Sequence, residues 1–409
     1  MIRVHDLTPD IFYQRNLLSN QNATMISDYC HVSGIDFAFD EDSYLCEVEL
    51  PKMWNKTIKN LELNLLDYID WDYLSKNPSK KLILTHRIIY NLQDYLEKIN
   101  EISLKHNLTE RLFWYTFNPL DFKLKDKCKF KLIFLNSITN VFYEGWIYKI
   151  FMCNRDSQEL YEFQKYRYGF EPKDSNFEKL DVSRCDKYFM SSNRQEKAHR
   201  LLSTYLIDKN IESDKGILTY HGIKDVHLDM DTYLQNYQLI LDKKGIHLQD
   251  LLNFRSFRKI PDNENLDSRN HWYQSLRSTY IDLFERCLVT YVNESTSNEN
   301  EIFVTEKTWL SYAHGKPFIL NANKNMLTWL EKYYGFKSFP MLFDESYDDK
   351  DNFVDRVCYG VDELTKFCSL SFEDARERVK SVQKTLDHNF NVFYSLNHKE
   401  NFLRIFDGI

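Results

Sequence analysis

An acidic and a basic side chain, Glu306 and Lys307, stand side by side between two apolar runs of this chain. The run at residues 302–304 is typical of a buried strand, and the residues that follow have the apolar spacing of a helix. Thr305 is a residue type favoured at a helix N-cap, so Glu306 and Lys307 are predicted to open that helix. A carboxylate there can accept both hydroxyls of a ribose, and an ammonium can bind a phosphate. The segment therefore favours a site for a nucleoside diphosphate.

Each of these charges also has an ordinary explanation. An acid at a helix start is stabilised by the helix dipole whether or not it binds a ligand, and a first-turn lysine can extend into water. Glu294, at the end of another strand-like run, is a further candidate for lining the same site. The pair becomes informative only in combination with a second charged segment.

That second segment is "NRQEKAHR", residues 193–200, whose basic side chains are Arg194, Lys197, His199 and Arg200. We predict a helix that begins after an N-cap at Ser192 or Asn193, which places these cations in its first two turns. Cations near a helix N-terminus are mildly unfavourable, and a bound phosphate would balance them. The alternative is that the long side chains extend into water and pair with Asp208 or Asp214.

Other chemical motifs point elsewhere or carry no signal. The chain contains no GxSxG, HExxH, P-loop or GxGxxG motif, so the usual hydrolase, zinc protease, NTPase and dinucleotide-binding patterns are absent. DxD triplets, which could hold Mg²⁺ or Mn²⁺, occur at residues 40–42, 70–72, 229–231 and 349–351. In a chain with many aspartates this is the number that chance produces. We therefore expect no metal site and no cofactor.

The composition indicates a globular protein, and the length predicts two domains or one very large one. Of the 409 residues, 43% are hydrophobic and 15% aromatic, which is enough for a large core. A net charge of −8 argues against a protein that mainly coats nucleic acid, although it does not exclude a local basic patch. Eight cysteines occur without any CxxC pair, so free thiols are expected rather than a zinc knuckle or a disulfide framework.

The N-terminal residues lack the apolar core of a signal peptide, and no run approaches the length of a membrane helix. We therefore expect a cytoplasmic protein, in the host cytoplasm if the source is a virus.

Strand-like and helix-like runs alternate, most regularly from residue 187 onward. "KYFMSS", "KGILTYHG", "RCLVTYVNE" and "KPFILNAN" have the pattern of buried strands, and amphipathic helices stand between them. Such alternation predicts βαβ crossovers and a parallel sheet. We predict an α/β fold of two Rossmann-like domains facing a cleft. Their predicted bounds are residues 1–180 and 187–385, with a helical tail at 386–409 that packs back on the first domain.

Four segments together resemble a known family. "FVTEKTW" and "HGKPFIL", with "NRQEKAHR" upstream and "YYGFKSFPMLFDESYDD" downstream, resemble the donor-binding region of fucosyltransferase-type glycosyltransferases, in particular glycosyltransferase-like proteins of viruses and phages. The resemblance covers residues 186–350 and implies a GT-B fold. One departure is the scarcity of glycine, since only Gly315 is available for the turn in "SYAHGK".

The resemblance also implies roles for individual residues. Glu306 would hold the ribose of a nucleotide-sugar donor, Lys307 would contact the diphosphate, and either Arg194 or Arg200 would contact phosphate as well. Thr305 and Glu294 complete the candidate donor site. The cationic side chains would stabilise the leaving diphosphate without a metal ion.

The first half is then expected to bind the acceptor and supply the base, for which Asp36, His86 and Glu144 are all available. The acceptor is either a glycan or a hydroxymethylated base of viral DNA. The alternation "KLKDKCKFK" predicts a strand with several lysines on one side, which would suit phosphate contacts or merely protect a sheet edge. Together with Lys80, Lys81 and Arg87, these lysines would form a basic groove across the first half if DNA is the acceptor. The alternative from a different class of function is a protein that binds a nucleotide sugar but does not transfer the sugar.

Overall fold

The computed structural model describes residues 1–8, 36–50, 66–86, 92–116, 119–134, 179–195, 197–223, 230–254, 281–295, 302 and 304–395. These residues divide into two compact units. The first contains the described residues between 1 and 134 and residue 302, and the second those between 179 and 295 and between 304 and 395. The charged, proline-containing sequence near residues 165–187 is the predicted linker, and it lies largely outside the described residues, so the domain boundaries stay predictions.

The first unit is built on a six-stranded sheet in which every paired strand is parallel. Its strands are β1 (Ile2–Asp6), β2 (Phe37–Phe39), β3 (Leu45–Leu50), β4 (Lys81–His86), β5 (Leu112–Thr116) and β6 (Lys131–Phe134), in the order β2-β1-β3-β4-β5-β6. Helices α1 (Trp71–Lys76) and α2 (Leu92–Lys105) pack with it.

Alternation along the strands explains this packing. Cys46, Val48 and Leu50 share one face of β3 and belong to the same buried cluster as Leu96 and Ile99 of α2. Burial of each large aliphatic side chain contributes about 2 kcal/mol, so this layer is the main source of stability in the unit.

One arginine ties together the loops at the edge of this layer. Nη1 of Arg111 donates to the backbone oxygens of Leu74, Asn77 and Lys80, each at 3.1 Å, and Nη2 donates to that of Asn107 at 3.2 Å. The rigid, planar guanidinium can serve several carbonyl groups at once. Arg111 therefore fixes the turn between α1 and β4 against the start of β5.

The second unit contains a four-stranded parallel sheet. Its strands are β7 (Lys187–Gln195), β8 (Gly216–Ile223), β9 (Cys287–Asn293) and β10 (Phe318–Asn321). Its helices are α3 (Ala198–Asn210), α4 (Met230–Gln235), α5 (Gln238–Lys243), α6 (Leu248–Phe254), α7 (Ile281–Glu285), α8 (Glu306–Ala313), α9 (Met326–Tyr334), α10 (Phe353–Cys368), α11 (Phe372–Ser381) and α12 (Gln383–Ser395).

The strand order of this sheet, β10-β9-β7-β8, has one reversal. From β7 the chain moves outward to β8 and then returns to the other side of β7 to form β9. The loops that leave the carboxyl ends of β7 and β9 therefore diverge, and in open α/β sheets ligands bind at such a switch point. The two charged segments identified in the sequence follow these same two strands.

The prediction of an α/β fold with parallel sheets is confirmed, and the four strands predicted in the second half are present. Gly315 adopts the left-handed conformation with φ of +57°, as the predicted turn before β10 requires. Six of the cysteines lie in the described part of the chain and all six are free thiols. The arrangement of two domains around a cleft stays a prediction.

Two local expectations are not met. Residues 119–127 form a 3₁₀ helix, so the predicted lysine-bearing strand at 123–131 is wrong except for its last residue. Lys80 lies in no open groove, because it is buried and its ammonium donates to the backbone oxygen of Glu41.

The described part of the predicted tail belongs to α12. Its Phe393 ring stacks on Trp309 of α8, with 6.5 Å between the two ring centroids. Residues 396–409 lie outside the described residues, so the packing of the tail on the first domain stays a prediction. Among the helices of the described residues, none has the length and apolar character needed to cross a membrane.

We predict that Arg111→Lys destabilises the protein by about 1–3 kcal/mol, because a lysine cannot serve the same set of carbonyl oxygens. The free energy of unfolding from urea titration measures the loss. Arg3→Lys is the matched control, since Arg3 is exposed and makes one ion pair with Asp40 at 3.0 Å. Equal effects of the two substitutions would contradict the role assigned to Arg111.

Candidate functional site

The carboxyl end of β9 leads directly into Glu294, and this residue joins the two charged segments. Its backbone oxygen accepts hydrogen bonds from Nε2 of His199 at 2.9 Å and from Nη2 of Arg200 at 3.0 Å. Both donors lie in the first turn of α3, and all three residues are buried. The start of α3 is thereby attached to the end of β9.

The carboxylate of Glu294 makes the second attachment. Oε1 accepts from the Thr305 backbone N–H at 3.0 Å and from the Thr308 hydroxyl at 2.5 Å, and Oε2 accepts from the Thr305 hydroxyl at 2.6 Å and the Ser295 backbone N–H at 3.1 Å. Four donors hold a carboxylate that has no solvent exposure. Glu294 therefore fixes the start of α8; its direct contact with a donor stays a prediction.

The start of α8 has the geometry that its sequence predicts. Thr305 is the N-cap, with an extended backbone and a hydroxyl that accepts from the Lys307 backbone N–H at 3.4 Å. The Lys307 ammonium is half-buried and donates to the Thr305 hydroxyl at 3.1 Å and to the Ser295 hydroxyl at 3.4 Å. Glu306 is the first helical residue, and its side chain lies outside the described part of the structure.

The start of α3 differs from the prediction. Strand β7 continues to Gln195, paired with β8, and α3 begins only at Ala198 with Lys197 at the N-cap. The predicted cap at Ser192 or Asn193 is therefore wrong. The reason is tertiary, because parallel pairing with β8 extends the strand through both residues. Lysine has no side-chain acceptor for the first N–H groups of α3.

A layer of buried amides lies beneath these helix starts. Asn321 at the end of β10 donates to Asn293 of β9 at 2.5 Å, and Asn293 donates to Asn193 of β7 at 3.0 Å. The hydroxyl of Ser203 in α3 donates to the same Asn293 oxygen at 3.1 Å. This chain of side chains aligns the carboxyl ends of three neighbouring strands. Sequence reasoning missed it, although asparagine closes two of the strands, β9 and β10, and stands near the end of β7.

Burial determines the charge state of the site. The pKa of His199 lies well below its ordinary value, first because the ring is fully desolvated and second because Arg200 is close. His199 is therefore neutral at pH 7, with Nε2–H donating to the Glu294 carbonyl. Arg200 remains charged, since guanidinium does not lose its proton in proteins. The switch point thus carries the positive charges of Arg200 and Lys307.

A second polar junction holds the end of β10. The carboxylate of Asp348 accepts from the backbone N–H groups of Met326 and Leu327, each at 3.0 Å, and so caps α9. Burial raises the pKa of Asp348 to about 7. Arg356 of α10 donates to the backbone oxygens of Ala322 at 3.1 Å and Lys350 at 2.6 Å. The pattern of residues 335–349 predicts a strand followed by a polar loop, but no strand forms there and Glu345–Asp349 is a 3₁₀ helix.

The structure brings together four of the predicted site residues, Arg200, Glu294, Thr305 and Lys307. The side chains of Arg194 and Glu306 are outside the described part, although their backbones lie in β7 and α8. Within the described residues, no group of three or more His, Cys, Asp or Glu side chains is arranged to hold a metal ion.

The candidate bases of the first half are less well defined. Asp36 immediately precedes β2 and His86 is the last residue of β4, whereas Glu144 lies outside the described residues. The choice among them stays open.

Comparisons with models of known protein families, with curated proteins and with solved structures found no match for this chain. The resemblance to fucosyltransferase-type enzymes therefore stays a prediction from the motifs, and the site has to be interpreted from its own geometry.

We predict that Glu294→Gln lowers the free energy of unfolding by about 2–3 kcal/mol. The new amide group would meet hydroxyl and N–H donors where an acceptor is required, in a place without water. Denaturant titration measures the loss, and Glu331→Gln on the exposed face of α9 is the control. Comparable, small losses for both variants would show that the junction does not depend on this carboxylate.

We also predict a pH dependence from His199. Its pKa is depressed in the folded protein, so the unfolded chain binds a proton more readily, and stability is lost as the pH falls below about 6.5. The slope approaches about 1.4 kcal/mol per pH unit. His199→Gln keeps an N–H donor for the Glu294 carbonyl but does not titrate. Its unfolding free energy should therefore decline less than that of the wild type between about pH 7 and pH 5; parallel declines would refute the assignment.

Proposed function

We propose that this protein is a glycosyltransferase of the GT-B type that transfers a sugar from a nucleoside-diphosphate sugar to an acceptor hydroxyl. The donor would bind at the carboxyl edge of the second sheet. The observation that carries this proposal is the junction at Glu294, where the starts of α3 and α8 meet at the switch point of a parallel sheet. That is where open α/β sheets bind nucleotides.

The chemistry of the junction suits a diphosphate. Helix N-termini present backbone N–H groups and a positive partial charge, and two of them point to one region here. Arg200 and Lys307 add two full positive charges, while the carboxylate of Glu294 is already engaged by four donors. The electrostatic balance therefore favours an anionic ligand over a neutral one.

In this proposal the residues have distinct roles. Glu306 accepts the ribose hydroxyls, and Lys307 binds the diphosphate as a point charge. Nη2 of Arg200 already donates to the backbone oxygen of Glu294, so we assign the phosphate contact to Arg194. Arg200 and Glu294 hold the two helix starts in position. As the bond to the sugar breaks, the cations stabilise the charge that develops on the leaving diphosphate.

The acceptor would bind to the first unit, whose base takes the proton of the attacking hydroxyl. Asp36, His86 and Glu144 remain the candidates. A glycan and a hydroxymethylated base of DNA both offer a suitable primary or secondary hydroxyl.

We predict that Glu306→Ala abolishes donor binding and leaves the fold intact, because the ribose loses a two-point acceptor at the start of α8. A thermal-shift panel of nucleoside diphosphates and their sugars first identifies the donor, and calorimetry with that donor then compares the variants. Glu331→Ala on α9 is the matched control. Unchanged affinity in Glu306→Ala would disprove the site.

A turnover assay distinguishes an enzyme that transfers the sugar from a protein that only binds the donor. Release of nucleoside diphosphate from the identified sugar donor, slow in buffer and accelerated by acceptor, supports the enzyme. Tight donor binding with no turnover against glycan and DNA acceptors would instead support a nucleotide-sugar-binding protein.

A further inference from the structure

We propose that the segment at residues 119–131, here called the lysine segment, binds the phosphate backbone of double-stranded DNA. It consists of the 3₁₀ helix Pro119–Lys127 and the residues that lead into β6. The proposal rests on how the structure displays its lysines and on how firmly it fixes their backbone.

Four lysines of this segment are exposed and have no acidic partner within the described residues. They are Lys123, Lys125, Lys127 and Lys129. Lys131 is different, because its ammonium pairs with Glu110 at 2.9 Å and lies 5.7 Å from the centre of the Phe113 ring. The segment carries five lysines against two acids, Asp121 and Asp126, so in a protein with a net charge of −8 its positive charge is a local feature and not a reflection of composition.

The backbone that carries these lysines is held in place by α2. Asn100 donates to the backbone oxygen of Lys127 at 2.9 Å and accepts from the backbone N–H of Lys129 at 2.6 Å. The hydroxyl of Ser103 donates to the backbone oxygen of Lys129. Phe130, next in the chain, is buried in the core of the unit. The lysines therefore extend from a fixed support, which lowers the entropy cost of engaging a partner.

The spacing of the lysines along the segment suits a densely charged polymer such as DNA. A 3₁₀ helix rises about 2.0 Å per residue, so the backbone of Lys123 and that of Lys127 are about 8 Å apart along the axis. Duplex DNA carries one phosphate charge for about every 1.7 Å of its length. The helix turns by about 120° per residue, so Lys123, Lys125 and Lys127 leave it in different directions, and their long side chains have to bend toward one duplex to contact several phosphates at once. Contacts of this kind give affinity without reading the base sequence.

Protection of a sheet edge is the competing explanation. Strand β6 is the last strand of its sheet, and lysines on edge strands discourage pairing with other chains. Only Lys131 lies on that strand, however, and it is already paired with Glu110. The four unpaired lysines precede the strand, so edge protection does not account for them.

DNA binding by the lysine segment is independent of donor binding in the second unit. The further step, that DNA is the acceptor and not only a partner, rests on the proposed transferase function. DNA binding and donor binding can be disproved separately, because the first is measured with DNA alone and the second with nucleotide alone.

The test uses a fluorescein-labelled DNA duplex and fluorescence anisotropy at a series of KCl concentrations. The variant Lys123→Gln/Lys125→Gln/Lys127→Gln/Lys129→Gln removes the four charges. The control Lys243→Gln/Lys332→Gln/Lys337→Gln/Lys384→Gln removes the same charge from exposed lysines of the second unit. We expect the first variant to lose roughly tenfold or more in affinity and to reduce the slope of log affinity against log salt by about 3–4.

The control should retain the affinity and salt slope of the wild type. Equal losses in both variants would show a general charge effect and overturn the proposal, as would a wild-type protein that does not bind the duplex. Tighter binding to a sulfated glycan of matched charge would overturn the choice of DNA. Urea titration and nucleotide binding of the first variant confirm that its fold and second unit are unchanged.

Discussion

The proposed donor site depends on one buried carboxylate and on the peptide oxygen of the same residue. Glu294 accepts hydrogen bonds from the start of α3 through its carbonyl and from the start of α8 through its side chain. A buried charge is stable only when its hydrogen-bonding capacity is filled, and here it is filled by groups from both segments. The requirement to satisfy Glu294 therefore holds the starts of the two helices together.

The parallel sheet makes this junction possible. The strand order β10-β9-β7-β8 reverses direction beside β7, so the chain leaves β7 and β9 toward opposite sides of the sheet. The helices that follow these two strands start close together at this switch point. The amides of Asn193, Asn293 and Asn321 then keep the strand ends level. Arg200 and Lys307 bring positive charge to this edge, where the carboxylate of Glu294 is already engaged by four donors.

The first unit contributes a different kind of surface. Its sheet is stabilised by the usual apolar layer against α1 and α2, yet the segment before β6 presents lysines on a support clamped by Asn100 and Ser103. In the two proposals the units bind anions in different ways: the second unit binds a small diphosphate at buried helix starts, and the first binds a polymer through exposed lysines.

The sequence by itself determined the features that depend on near neighbours: the α/β class, the strands of the second half and the N-cap at Thr305, because periodicity and capping act over a few residues. It misplaced the start of α3 and the lysine-bearing strand, because pairing with β8 and the clamp from Asn100 override local preference. Only the tertiary structure decided the role of Glu294, whose partners are up to 95 residues away in the chain. No local pattern encodes a bond that exists only after the sheet has formed.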